Sequence, residues 1–177
     1  MSVGSDGGPV RLGIVADTHI GEAASRVLPP ALLRGLAGVD YILHAGDMTA
    51  RRVLDQLGQL APVLAVTGNQ DTSDLSYALP TARLLRVGGL PLGLTHGHLG
   101  RARTTPARAL QRFAGVEGLR AVVFGHSHEP LNTHPPEHDV LLFNPGSPTE
   151  RRRQRCCSYG LLFVEDGVVR GDIIYLP

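Results

Sequence analysis

Six short apolar runs punctuate the chain, and each ends in a polar cluster of narrow composition. Val10 to Ala16 runs into Asp17-Thr18-His19, Tyr41 to Leu43 into His44-Ala45-Gly46-Asp47, and Val63 to Val66 into Gly68-Asn69. "LPLGLTHGH" from Leu90, "RAVVFGHSH" from Arg120 and "VLLFNPGS" from Val140 repeat the pattern. Continuous apolar runs of this length, closed by polar punctuation, predict buried strands.

Helical spacing appears between several of them. Thr49 is placed to cap a helix with Val53, Leu57 and Leu60 on one face. Thr105-Pro106 reads as a cap followed by proline at the first helical position, with Leu110 and Phe113 facing inward. Residues 22–37 read as helical, interrupted by Pro29-Pro30. Near the C-terminus, two apolar runs flank Asp166-Gly167, a dipeptide favoured in two-residue hairpin loops. Residues 1–9 read as a flexible tail and residues 10–177 as one domain, with no repeat or linker dividing it. Strand and helix alternate in the first half, and the second half is strand-rich.

Bulk composition adds exclusions. A chain of 177 residues with 42% hydrophobic and 19% charged residues builds a real core and is not disordered. A net charge of +1 gives no field for nucleic acid or membrane surfaces. The N-terminal stretch lacks the apolar segment of a signal peptide, and no run approaches a membrane span. The only cysteines, Cys156 and Cys157, are adjacent, so a reduced, cytoplasmic chain is expected.

The chemistry lies in what stands at the strand ends. Asp17 and His19, Asp47, Asn69, His96 and His98, and His126 and His128 all carry metal-compatible side chains. Each alone has an ordinary explanation: a helix cap, a turn residue, a surface histidine. Together, at the edge of an α/β sheet where ligands bind, they point to a metal site. Oxygen and imidazole donors without thiolates suit manganese, iron, zinc and related divalent ions. Two ions about 3.5–4 Å apart, sharing one carboxylate, need about seven ligands and clamp a phosphoryl centre. A hydroxide bridging them is the expected nucleophile.

"DTH", "GD", "GN", "HGH" and "GHSH", in that order, resemble the signature of the calcineurin-like metallophosphoesterase superfamily. "NPGS", Asn144 to Ser147, resembles the closing motif of its small prokaryotic phosphodiesterase branch. The resemblance implies an α/β fold, a four-layer α/β/β/α sandwich of two mixed sheets flanked by helices. It implies Asp17, His19 and His128 on one metal, Asn69, His96 and His126 on the other, and Asp47 bridging. Manganese is the expected ion, with iron, zinc, nickel or cobalt compatible, and a homo-oligomer fits the family. His44 reads as a core residue or one behind the ligands, His134 and His138 as surface.

One position departs from the family. Many members have a histidine after Gly-Asn that protonates the leaving group; here stands Gln70, whose amide is no useful acid. Loss of such help costs about 10²–10⁴-fold, so turnover slows without vanishing. His98 is the candidate substitute, and a small phosphodiester or nucleotide with a good leaving group is the expected substrate. The rival is a catalytically weak or inactive metal-binding scaffold for partner proteins, similar to the retromer scaffold subunit. A nuclease is disfavoured by the near-zero charge. Arg51, Arg52, Arg101, Arg103 and the cluster Arg151 to Arg155 are candidates for steering an anionic substrate.

Overall fold

The computed structural model describes residues 2–4 and 8–177. In chain order the elements are β1 (Ser2–Val3), β2 (Val10–Val15), α1 (Pro30–Gly35), β3 (Tyr41–His44), α2 (Arg51–Gly58), β4 (Val63–Ala65) and α3 (Ser73–Ala78). They continue as β5 (Ala82–Val87), β6 (Leu90–Thr95), α4 (Thr105–Gln111), β7 (Ala121–Val123), β8 (Leu131–Thr133), β9 (Leu141–Asn144), β10 (Ser158–Glu165) and β11 (Val168–Tyr175). One sheet runs β1-β5-β6-β7-β9-β8 and the other β11-β10-β2-β3-β4. Both are mixed: β2-β3-β4 and β6-β7-β9 are parallel, the flanking pairs β2-β10 and β5-β6 antiparallel.

The sheets pack face to face. Leu12, Ile14 and Leu43 from one meet Leu92, Leu94, Val123 and Phe143 from the other in a single buried cluster. Strand alternation sends the remaining side chains outward. Val15 and Ile42 meet Leu32 of α1, Leu36 at its C-cap, and Val53 and Leu57 of α2. On the opposite side, Val122 and Leu142 meet Ala109 of α4 and Phe113 just beyond it. The four-layer sandwich expected from the sequence is thus the fold. Among the described residues, no helix is long and apolar enough to cross a membrane.

Several local expectations are corrected. Residues 22–37 hold only α1, which starts at Pro30. The segment before it gives its carbonyls away: Arg52 Nη2 donates to Gly21, Ala24 and Arg26 at 2.7, 2.9 and 3.2 Å. Carbonyls committed to a guanidinium do not close helical turns. This also removes Arg52 from substrate steering. Thr49 does not cap α2; it has φ 67°, and Ala50 takes the cap position. The carboxylate of Glu22 receives the Arg51 N–H at 3.0 Å instead. Leu60 lies past the end of α2 and is 36% exposed. The cap of α4 is Thr104, one residue early, accepting the Ala107 N–H.

Ser2–Val3, expected within a flexible tail, pairs in parallel with β5, and Val3 is buried. Met1 and residues 5–7 of that tail lie outside the described residues. Strand β5 escapes the apolar-run criterion because Arg83 and Arg86 interrupt it, but Leu85 and Val87 keep a two-residue period. The Gly88-Gly89 loop, with both φ positive, turns β5 tightly into β6. The C-terminal hairpin turns as expected at Asp166-Gly167, also both at positive φ.

Phe143 sits between the sheets with no exposure, its ring against the bare backbones of Gly160 and Gly171. Truncating a buried aromatic removes its transfer energy and leaves a cavity. Phe143→Ala is expected to cost about 3–5 kcal/mol in urea unfolding. A loss below about 1 kcal/mol would mean that this packing does not hold the sheets together.

Candidate metal centre

The parallel strands of both sheets release their polar loops at one edge, and the loops share an unusual backbone. Asp17 and His19 after β2, Asp47 and Thr49 after β3, and His126 and His128 after β7 all have φ between 45° and 70°. L-residues enter this left-handed region at a cost, so they persist only where surroundings fix them. The first two loops fix each other. Asp17 N donates to the Gly46 carbonyl at 3.0 Å, His19 N to Asp47 at 3.0 Å and Ile20 N to Met48 at 3.2 Å. Side chains two residues apart are thereby turned into one space.

There the donor atoms converge in two groups: Asp17, His19 and His128, and Asp17, Asp47 and His96. The Nε2 atoms of His19 and His128 lie 3.2 Å apart, and His128 Nε2 lies 3.5 Å from Asp17 Oδ1. His96 Nε2 lies 3.2 Å from both Asp47 Oδ2 and Asn69 Oδ1. Asp47 Oδ2 also stands 3.8 Å from His19 Nε2, so it reaches both groups. Ligand atoms about 2.0–2.2 Å from a common ion stand at such separations. Asp17 Oδ1 is buried with no hydrogen-bond partner, the condition of a carboxylate oxygen meant for a cation. The donor set fits divalent ions.

His126 is brought alongside, its ring 5.1 Å from that of His96 and 6.2 Å from that of His98. Asn69 and Gln70 are exposed at the mouth. Gln70 contributes through its backbone, its N–H donating to Asp47 Oδ1 at 2.8 Å. His98 is half-buried, with a buried Nδ1 that has no partner. His44 is fully buried behind the loops: Gly46 N donates to its Nδ1, and its Nε2 faces Thr18 Oγ1 at 3.3 Å. His134 and His138 are exposed.

Supporting groups set orientation. His96 Nδ1 donates to the Ala45 carbonyl at 2.7 Å and His128 Nδ1 to the Glu150 carbonyl at 2.9 Å. With the proton held at Nδ1, each neutral ring offers the Nε2 lone pair inward. Asp71 accepts three backbone N–H groups, from Gly68 at 2.7 Å, Thr49 at 2.8 Å and Asp47 at 3.0 Å. It locks the Gly-Asn loop to the Asp47 loop. The NPGS turn braces two more: Asn144 Nδ2 donates to the Gly125 carbonyl at 2.9 Å, and Ser147 Oγ to the Asp17 carbonyl at 2.7 Å. Two glycines are required by contact. A Cβ on Gly68 would overlap the Asp47 carboxylate, and one on Gly125 would stand 2.7 Å from Asp17 Oδ2.

The electrostatics follow from burial and mutual charge. Burial pushes Asp17 up to about 7, against the pull of His96. Burial alone would raise Asp47 too, but the hydrogen bond and charge of His96 hold it at about 2. Burial would lower His96, and its bond to Asp47 outweighs that and raises it. Burial depresses His19, His98 and His128, and takes His126 and His44 down to about 4.

The family model described as the calcineurin-like phosphoesterase superfamily domain matches residues 10–167. The chain belongs to that superfamily. A probable metallophosphoesterase of Methanocaldococcus jannaschii is 37% identical over 147 residues, covering 82% of this chain and 72% of that protein. Vacuolar Protein Sorting 29 from Cryptosporidium parvum superposes with a TM-score of 0.72 at 18% identity, over 95% of this chain and 98% of that one. A novel archaeal phosphodiesterase does so with a TM-score of 0.63 at 22% identity, over 93% and 99%. The superfamily is one of phosphoester hydrolases that use divalent metals, and the convergent donors here are the candidate site for them.

Asp71 reads from the sequence as a residue that orients this loop, and its three hydrogen bonds do so, whereas sequence pattern does not show the Glu150 carbonyl or the effect of Arg152, whose charge lowers Asp17, His19 and His128. Asp71 follows Gln70 directly, and that closeness to Gly-Asn was its only signal. Asp71→Ala frees the Gly68–Gln70 loop, and divalent-ion affinity is expected to fall about 10–100-fold by calorimetry. Unchanged affinity would show that the clamp does not orient the donors. Proton release gives a second check. At pH 6 the metal-free chain holds protons on Asp17 and His96, and a cation must displace them. Release, measured in buffers of differing ionisation enthalpy, is expected to grow as pH falls from 8 to 6. A release that stays flat over this range would contradict the buried, protonated Asp17.

Proposed function

We propose that this chain is a two-metal phosphodiesterase acting on a small phosphodiester or nucleotide, with its leaving-group acid weakened. The carrying observation is the reach of Asp47 Oδ2 to both donor groups, 3.2 Å from His96 Nε2 and 3.8 Å from His19 Nε2. Asp17, His19 and His128 would hold one ion and Asn69, His96 and His126 the other, with Asp47 within reach of both. When bound, the ions, expected to be manganese, supply Lewis acidity towards the phosphoryl group and activate the attacking water. The chain does the rest. The Gln70 N–H and the Asp71 clamp hold Asp47 and Asn69 in place. The half-buried His98 borders the same mouth, 5.2 Å from the His96 ring.

Gln70 carries no titratable proton, so protonation of a poor leaving group falls to His98. Burial lowers His98 below the usual imidazole range, so its proton-donating form is gained as pH falls. Nitrophenolate leaving groups need little such help; alkoxides need more. The likeness to an archaeal phosphodiesterase supports the same substrate class. The free, half-buried Cys156 and Cys157 fit a reducing cytoplasm. A second reading has Gln70 in its favour, together with the fold shared with Vacuolar Protein Sorting 29: a metal-binding scaffold without turnover.

Manganese-loaded protein is expected to hydrolyse bis(p-nitrophenyl) phosphate faster than an alkyl phosphomonoester, and Asp47→Asn to abolish both. His98→Ala is expected to slow an alkyl ester about 10²-fold and the nitrophenyl diester little. Preference for the alkyl monoester would refute the diesterase reading. An unchanged kcat in His98→Ala on the alkyl ester would remove the histidine from this role. Stoichiometric manganese with no turnover of any ester would favour the scaffold.

A further inference from the structure

The longest arginine run, Arg151 to Arg153, is tied to the metal centre by its own backbone. The carbonyl of Glu150 accepts from His128 at 2.9 Å, and its N–H donates to Ser147 Oγ at 2.9 Å. Arg26 pairs with the Glu150 carboxylate at 2.9 Å. The turn closes through the Gln154 N–H to Arg151 carbonyl bond at 2.7 Å, and Arg152 within it has φ 45°. The run is therefore held in a fixed place.

Beside it lies a cavity of about 300 Å³ lined by Ser127, Glu129, Arg152, Arg153 and Gln154. The cavity adjoins groups that support the metal centre: Ser127 lies between His126 and His128 in the chain, and Arg152 stands two residues beyond Glu150, whose carbonyl holds His128. Its Oγ accepts from Asn144 Nδ2 at 3.0 Å and from Glu129 N at 3.3 Å, which leaves the hydroxyl proton for an outside acceptor. Among the described residues, arginines form ion pairs only as Arg26–Glu150 and Arg120–Asp139, so Arg152 and Arg153 have no carboxylate partner. Two unpaired guanidinium groups beside a hydroxyl donor suit a dianionic phosphate. Glu129 repels an anion from its own part of the lining and leaves the arginine side for it. A second cavity, of about 350 Å³, meets the first at Ser127 and Glu129, and its lining is mixed, with Arg103 and Thr105 beside Pro106 and Leu131.

We infer that the substrate is a phosphodiester bearing a second phosphate, which Arg152 and Arg153 hold while the scissile group lies at the metal centre. This rests on the diesterase reading, and the test separates the two. Manganese-loaded protein is titrated by calorimetry with thymidine 5′-phosphate and thymidine 3′,5′-bisphosphate. The wild type is expected to bind the bisphosphate about tenfold more tightly. The double variant Arg152→Gln, Arg153→Gln is expected to lose that gap, each affinity being read against that of the same variant for thymidine 5′-phosphate. Arg170→Gln, an exposed charge on β11, is expected to keep the gap. No gap in the wild type, a gap surviving in the double variant, or a gap lost equally in Arg170→Gln would each overturn the inference. Turnover of the p-nitrophenyl ester of thymidine 5′-phosphate in the same samples judges the diesterase reading by itself. An arginine-dependent gap without turnover would sink that reading and still support the phosphate site.

Discussion

A carboxylate buried as completely as that of Asp17 is the constraint on which the site is built. Its residue has no exposure, one oxygen accepts the His126 N–H at 2.9 Å, and the other has no partner in the protein. An ionised carboxylate in such a place is expensive unless a cation faces it, and burial moves its pKa to about 7. The neighbours are arranged around that oxygen: two imidazoles within 3.9 Å, a glycine at 125 where a side chain would collide, and a serine fixing the Asp17 carbonyl. Replacing any of them alters how the charge is met.

The geometry costs backbone strain, which the rest of the fold absorbs. Six non-glycine residues of the centre sit at positive φ, in the loops just past the strand ends. Such conformations hold only on rigid support. The sheets supply it, with a shared core whose residues are nearly all without exposure. Crossed hydrogen bonds between the β2 and β3 loops, the Asp71 clamp and the NPGS turn pass that rigidity to the donors. This is the division expected when binding residues ride on loops set by a firm scaffold.

Much of this was legible in the sequence, because buried parallel strands are apolar runs and polar groups at their ends have little structural reason to be there. Asp17, Asp47, His96 and His128 were found that way, and the structure brings them together. The misses have physical causes. Residues 22–37 read as helical, but ahead of Pro30 Arg52 takes the carbonyls of Gly21, Ala24 and Arg26 from 31, 28 and 26 positions away. Strand β5 carries Arg86 on its open face and Arg83 on the face of Leu85 and Val87, where its Nε donates to the Ala65 carbonyl, and β1 is too short to show a period. Thr49 has the composition of a cap, but its N–H is bound to Asp71, and its backbone is left-handed. Supporting carbonyls such as those of Ala45 and Glu150 are invisible to residue type, since any residue supplies one.

Thermal unfolding of the wild type and Asp17→Asn at pH 8, each with and without Mn²⁺, tests the central claim most directly. Asp17 has its folded pKa raised to about 7, so above that pH the metal-free chain bears the full cost of the buried charge. The wild type should therefore gain several degrees in Tm from the ion. Asp17→Asn should match or exceed the metal-free wild type and gain nothing from Mn²⁺. A wild type indifferent to the ion, or a variant stabilised by it as strongly, would contradict a metal centre organised on Asp17.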